Sequence, residues 1–326
     1  MCGHCGCGDK RGATVLNLQT GKEIDMSGHS HDGDHGHDHA PHHQHDHLGD
    51  DGMRHSHDRH HADDALHDHD HAHEHVHADG TRHSHGHADH DDHSKVRRHD
   101  HVAGSMIELE RRILARNDAL AANNRAWFAG REILALNLVS SPGSGKTTLL
   151  EHTIRDLHHE LKLYVVEGDQ ATAHDGERIR AAGAPAVQVN TGTGCHLEAD
   201  MVARGLRELQ PAAGSVVMIE NVGNLVCPSM FDLGERAKVV ILSVTEGEDK
   251  PLKYPHMFRA AEIMILNKID LLPHLDFDVS EAIAHARTVN PDIKVFQVSA
   301  RSGEGLSDWY AWLRAELSKA REAAFA

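Results

Sequence analysis

An eight-residue run, Ser140-Ser141-Pro142-Gly143-Ser144-Gly145-Lys146-Thr147, has the spacing of a phosphate-binding Walker A loop. Its glycines let successive backbone N–H groups curve around phosphate oxygens. Lys146 is placed to bridge the β- and γ-phosphates, and the Thr147 hydroxyl suits Mg²⁺. Gly143, Ser144, Gly145, Lys146, Thr147 and Thr148 form the expected phosphate set, with Lys146 and Thr147 expected to serve phosphoryl transfer to water. Ser140 stands where this loop ordinarily has its first glycine. A second element, Asn267-Lys268-Ile269-Asp270, selects the base. The Asp270 carboxylate can accept hydrogen bonds from the ring N–H and 2-amino group of guanine, which adenine does not offer, and the Lys268 stem can lie along the ring. A third loop, Ser299-Ala300-Arg301, is similar to one whose backbone N–H meets guanine O6. Side by side, these elements predict a GTPase.

Two acids, Asp169 and Glu220, end apolar runs at Val165-Val166-Glu167-Gly168-Asp169 and Val216-Val217-Met218-Ile219-Glu220. A Mg²⁺ ion takes one or two carboxylates beside phosphate oxygens and water, so both acids are assigned, with Thr147, to its surroundings.

The cysteines offer a different chemistry. Cys195-His196 opens a helical pattern, and Cys227-Pro228 follows the run that ends at Glu220. Two thiolates and an imidazole suit Zn²⁺ or Ni²⁺. Spacing alone does not bring them together, and a lone buried cysteine is more often a small hydrophobe. Three more thiols, Cys2, Cys5 and Cys7, crowd the first seven residues. An odd total of five is a poor disulfide framework and is better suited to metal ligation in a reducing compartment. Of 35 histidines, 26 lie between His29 and His101, interleaved mostly with Asp, Gly and Ala. Such a tract should hold several Ni²⁺ or Zn²⁺ ions weakly and lose them as its imidazoles protonate below about pH 6.

These residues need a scaffold, and the sequence supplies one only beyond its first third. The His-rich stretch has too few large apolar residues to offset the entropy of ordering, so it is expected to be disordered. Three regions follow: a Cys-rich tip (1–8), a polar and His-rich tract (9–104), and a globular part (105–326). Ser105 with Glu108 predicts a capped helix reaching about Phe128. Apolar runs at 133–139, 163–166, 186–189, 215–219, 238–244, 262–266 and 293–298 then alternate with helical patterns at 147–160, 175–182, 196–209, 278–288 and 305–323. That alternation predicts an α/β fold with a mainly parallel sheet and helices on both faces. The net charge of −17 argues against a nucleic-acid surface. No run approaches the roughly 20 apolar residues of a membrane span, and the N-terminus lacks the apolar core of a signal peptide, so a cytoplasmic location is expected.

Residues 105–326 closely resemble the hydrogenase nickel-incorporation GTPase family, HypB. The resemblance rests on the Walker A loop, Glu167-Gly168-Asp169-Gln170, Gly176-Glu177-Arg178-Ile179-Arg180, Gly194-Cys195-His196-Leu197, Glu220-Asn221-Val222-Gly223-Asn224-Leu225-Val226-Cys227-Pro228 and Asn267-Lys268-Ile269-Asp270. It implies a P-loop fold of the SIMIBI type. It also implies that Cys195, His196 and Cys227 bind nickel or zinc at the interface of a GTP-dependent homodimer. The tip is similar to the N-terminal Cys-x-x-Cys-Gly-Cys nickel motif of some members, and His-rich tracts there are associated with nickel storage. Implied cofactors are GTP, Mg²⁺, Ni²⁺ and Zn²⁺. Implied partners are a second nickel-binding maturation protein and the precursor of a [NiFe]-hydrogenase large subunit. Two other readings stand beside this one. One is a urease-accessory nickel GTPase, whose metal motif is Cys-Pro-His where this chain has Cys227-Pro228-Ser229. The other is a nickel or zinc storage protein.

Overall fold

Strands β7 (Leu134–Ser140), β8 (Leu163–Asp169), β9 (Ala186–Asn190), β10 (Val216–Glu220), β11 (Ala237–Ser243), β12 (Ile263–Asn267) and β13 (Lys294–Gln297) coincide with the seven apolar runs. Residues buried on both faces read as near-continuous Val, Ile and Leu, which marks the interior of a parallel sheet. The structure, a computed structural model, describes residues 13–26, 45–48, 54–57, 73–76, 82–85, 98–169, 174–192 and 194–323. Helices follow the strands: α2 (Lys146–Leu157), α3 (His174–Ala182), α4 (Ala199–Leu209), the short α5 (Lys250–Lys253) and α6 (Pro255–Ala260), α7 (Val279–Val289) and α8 (Leu306–Ala323). Ahead of them runs α1 (Arg98–Ala129).

The sheet reads β13-β12-β11-β7-β10-β8-β9, all parallel, and ends in an antiparallel pair, β1 (Thr14–Asn17) and β2 (Glu23–Asp25). One face packs Leu134, Leu136 and Leu138 against Leu150 and Ile154 of α2 and Trp309 and Leu313 of α8. On the other face, Ala135 and Val217 meet Phe128 of α1 and Met201, Val202 and Leu206 of α4. Helices therefore cover both faces. Because the strands are parallel, Ser140, Asp169, Glu220 and Asn267 all emerge at one edge, where open α/β sheets bind ligands.

Two features depart from the sequence expectation. Residues 9–104 are not uniformly outside the fold: β1 pairs with β9 from Thr14↔Asn190 to Asn17↔Val187 and buries Val15, while Ala13 and Met26 join the core. Four residues are too short to announce a strand, and the edge of β9 joins them, with β2, to the sheet. Within residues 29–101, a separate unit, the described strands β3 (His45–Leu48) with β4 (Arg54–His57), and β5 (His73–Val76) with β6 (Arg82–His85), form two antiparallel hairpins. Helix α1 also begins seven residues before Ser105, so Ser105 lies inside the helix and is not its cap. Cys2, Cys5 and Cys7 lie outside the described residues.

Candidate functional site

The phosphate loop joins β7 to α2. Gly143 and Gly145 hold left-handed backbones (φ 74° and 96°), which only glycine adopts without strain. Gly145 has a second reason to lack a side chain: a Cβ there would lie 2.5 Å from Asn267 Nδ2. Asn267 Nδ2 donates to Ser144 O (2.9 Å) and Lys268 Nζ donates to Gly143 O (2.7 Å), so the Asn-Lys-x-Asp and Walker A loops are fastened together. Ser140, the position of the missing glycine, ends β7 fully buried. Its hydroxyl accepts from Lys146 Nζ (3.0 Å) and donates to Ser141 O (2.7 Å). The serine thus serves as a resting partner for the lysine. The Thr148 hydroxyl accepts from Arg178 Nη2 at 3.3 Å, tying α2 to α3.

At the guanine end, Asp270 Oδ1 is buried and has no hydrogen-bond partner, an orphan acceptor that guanine N–H groups would satisfy. In the Ser299-Ala300-Arg301 loop, the Ala300 N–H donates to Asn267 Oδ1 (3.0 Å), which also accepts from Lys268 N–H (2.8 Å). Ser299 is fully buried and accepts from Ser302 N–H.

Beside the phosphate loop, Thr147 Oγ1 donates to Glu220 Oε1 at 2.8 Å. Burial raises Glu220 above the ordinary carboxylate range despite Lys146 nearby. Sequence reasoning missed its neighbour. Glu167 pairs directly with Glu220 across β8 and β10 and is buried, with Oε2 unpartnered. Burial first, then the charges of Glu220, Asp169 and Asp175, push it up to about 9. One signal was available: a charged residue inside the apolar strand Leu163–Asp169. Two buried carboxylates with unpartnered oxygens suit a hard divalent cation. Asp175, also missed, opens α3, accepts from Arg178 Nη1 (3.0 Å), and acts electrostatically on both glutamates. Asp169 ends β8, and its carbonyl accepts from Thr191 N–H (2.9 Å).

The candidate metal residues come from two different loops. Cys195 and His196 precede α4, and Cys227 opens a 3₁₀ turn, Cys227–Ser229, after β10. The ligand atoms of all three lie within 4.8 Å of one another. The two sulfurs are 2.9 Å apart, and Cys195 Sγ is 3.7 Å from His196 Nδ1. His196 lies against the Phe231 ring (centroids 3.9 Å) with Nε2 buried and unpartnered. Burial lowers its pKa to about 4, so the imidazole is neutral at pH 7 with a lone pair available. Among the described residues this is the one such cluster.

A P-loop between β7 and α2, fastened to an Asn-Lys-x-Asp loop, defines a nucleotide-binding α/β protein, and residues 134–297 match the family model "CobW/HypB/UreG, nucleotide-binding domain". The hydrogenase maturation factor HypB of Azotobacter chroococcum mcd 1 is 64% identical over 208 residues, covering 64% of this chain and 68% of that protein. Its counterpart from Escherichia coli (strain K12) is 58% identical over 211 residues, covering 65% and 73%. The crystal structure of HypB from Helicobacter pylori in complex with nickel superposes with a TM-score of 0.58 at 40% identity, covering 64% of this chain and 96% of that one. The chain belongs to the hydrogenase maturation factor HypB family.

Proposed function

We propose that this chain hydrolyses GTP to GDP and phosphate and uses that cycle to control nickel delivery to a [NiFe]-hydrogenase large-subunit precursor. One observation carries the reading. Cys195, His196 and Cys227 converge within 4.8 Å on loops that flank the strand end bearing Glu220, whose carboxylate accepts from the Thr147 hydroxyl. A metal site and a phosphate site thus share one strand. The donor set, two sulfurs and a neutral imidazole, fits Ni²⁺ or Zn²⁺ as cargo. A HypB relative whose crystal structure contains nickel supports the choice of Ni²⁺.

Gly143 to Thr148 would cradle the phosphates, with Lys146 leaving Ser140 to meet the β- and γ-oxygens. Asn267, Lys268 and Asp270 would hold guanine, with the Ser299-Ala300 loop at its rim. Thr147, Glu220 and Asp169, joined by Glu167, would hold Mg²⁺. When bound, that ion neutralises charge on the phosphate oxygens. Attack is by water, and hydrolysis serves to time a conformational state. The dimer, the Cys2/Cys5/Cys7 tip as a nickel site, storage by the His-rich tract, Zn²⁺ as an alternative occupant and a cytoplasmic location complete the reading. No helix among the described residues is long and apolar enough to cross a membrane.

The reading is tested in cells whose sole copy is Lys146→Ala or Cys195→Ala. Each should accumulate nickel-free hydrogenase precursor, whereas full hydrogenase activity in both would defeat it. A second reading extends the first: the H. pylori relative, 40% identical over 221 residues, is a hydrogenase/urease maturation factor. Where the host makes urease, loss of urease activity in the same strains would support that wider role.

A further inference from the structure

Between the two sites runs a buried polar chain that neither site needs for its own chemistry. Asn221, 2% exposed, directly follows Glu220. Its Oδ1 accepts from the N–H of Leu197 (3.1 Å), the residue after His196, and from Val222 N–H (3.0 Å). Its Nδ2 donates to Asn137 Oδ1 (3.2 Å) on the central strand β7. Asn137 Nδ2 in turn donates to Glu235 Oε1 (3.0 Å), while Glu235 Oε2 accepts from Leu233 N–H (2.7 Å). Lys238 sits opposite Asn137 in the β11–β7 register, 3.8 Å from Glu235, and donates to the carbonyls of Pro228 (2.8 Å) and Phe231 (3.2 Å). Those carbonyls belong to the turn carrying Cys227 and to the residue whose ring lies against His196.

Each half of the metal triad therefore hangs from the same chain. Leu197 fixes the Cys195-His196 half, and Lys238 fixes the Cys227 half. At the middle is the residue after the carboxylate that accepts from Thr147. Buried amides and ions have few alternative arrangements once their partners are fixed, so a shift of the β10 end is transmitted and not absorbed. Burial lowers the Lys238 pKa, opposed by Glu235 and Asp232. An apolar strand would have served packing equally well without this desolvation penalty.

We infer that Asn221, acting through Asn137, Glu235 and Lys238, is the positioning residue through which nucleotide state and metal occupancy read one another. This rests on the proposed function and adds the route of coupling. The test uses the full chain at fixed excess Mg²⁺, measuring kcat and KM for GTP with and without added Ni²⁺. In the wild type Ni²⁺ should change KM for GTP, which follows the nucleotide affinity when hydrolysis is slow relative to dissociation, by about fivefold or more, within the usual range of coupling between two binding sites. Cys195→Ala should abolish that change, which assigns it to this site and not to the tip or the His-rich tract. Asn221→Ala and the paired change Glu235→Gln with Lys238→Met, which leaves no buried charge unpaired, should keep metal-free kcat and KM within about twofold. Both should reduce the Ni²⁺ response to less than about twofold. A wild-type response in either folded variant overturns the inference and leaves the proposed function standing. A wild type indifferent to Ni²⁺, or a response that survives Cys195→Ala, defeats the coupled reading and the inference with it. If neither variant melts cooperatively, the chain is structural and the inference falls.

Discussion

At the residue scale the site is set by which buried polar atoms lack partners. Asp270 Oδ1 is one, and its chemistry dictates a substitution. Asp270→Asn exchanges an acceptor for an amide N–H that would face the guanine N–H groups. KM for GTP should rise by about 10- to 100-fold, the worth of one to two charge-assisted hydrogen bonds, while xanthosine triphosphate, with a carbonyl at that position, should gain as a substrate. Steady-state kinetics with the two nucleotides decide the matter, and an unchanged preference would remove Asp270 from the base pocket. Glu167 makes a second prediction. Its folded pKa, pushed up to about 9, exceeds the ordinary carboxylate value, so between the two the native state binds the extra proton. Raising the pH through that window therefore destabilises the metal-free, nucleotide-free protein. Glu167→Gln lacks the penalty. Its melting temperature should exceed the wild type's by about 10–20 °C at pH 8, from about 1.4 kcal/mol per pH unit over the roughly 3.5 units above the ordinary value and about 2–4 °C per kcal/mol for a domain of this size, and the gap should close toward pH 4.5. Equal melting curves at pH 8 would show that this carboxylate is solvated.

At the scale of elements, the parts legible in the sequence were those whose backbone course is fixed locally. Strands β7 to β12 announce themselves as apolar runs, and the Gly-Ser-Gly-Lys-Thr turn needs no distant partner to curve around a phosphate. The convergence of Cys195, His196 and Cys227 was not legible in this way. Cys195 hangs from the β9–α4 loop and Cys227 from the β10–β11 loop, so their approach depends on β10 lying beside β8 and on Asn221 and Lys238 holding both loops. Glu167 escaped notice because a charge inside an apolar strand reads as an interruption until Glu220 is seen in register beside it. The joint between the two nucleotide loops was also invisible, since it depends on Asn267 reaching Ser144 across 123 positions. That joint can be tested by comparing two glycines. At Gly143 a Cβ meets nothing within 4 Å, whereas at Gly145 it would meet Asn267 Nδ2 at 2.5 Å. Gly143→Ala should bring only backbone strain of about 1 kcal/mol, and less than tenfold in GTP affinity. Gly145→Ala should separate the loops and lose guanine selectivity as well as phosphate binding. Equal effects of the two substitutions on the GTP/ATP ratio would show that the loops are not joined in solution.

At the scale of the molecule, the hairpin β1–β2 changes where the folded domain begins. Residues ahead of the His-rich stretch close the sheet beyond β9. Thr14 lies opposite Asn190, Leu18 N–H donates to Ala186 O (3.2 Å), and the Asn17 amide donates to Glu208 O (3.1 Å) on the last turn of α4. Arg204 reaches back to Met26 O (2.9 Å). Ala13, Val15 and Met26 are buried against Val187 and Val189 of β9 and Val202 and Leu206 of α4. Burial of a Val or Met side chain stabilises by about 1.5–3 kcal/mol. Removing residues 1–26 therefore takes away two such side chains and reopens the hydrogen-bonding edge of β9. The truncated protein should melt several degrees below the full chain, with an increased tendency to self-associate through the bared strand. Val15→Ser in the intact chain should reproduce part of the loss without removing the cysteines, which separates the hairpin's contribution from any effect of metal on the tip. Because Asn190 leads directly through Thr191 to Cys195, loosening this edge should also weaken nickel retention by the Cys195 site, measured by equilibrium dialysis on Val15→Ser in a background with Cys2, Cys5 and Cys7 changed to serine and the His-rich tract removed. Melting and nickel retention equal to those of the matched parent would show that the hairpin rests on the sheet without supporting the loop that carries Cys195 and His196.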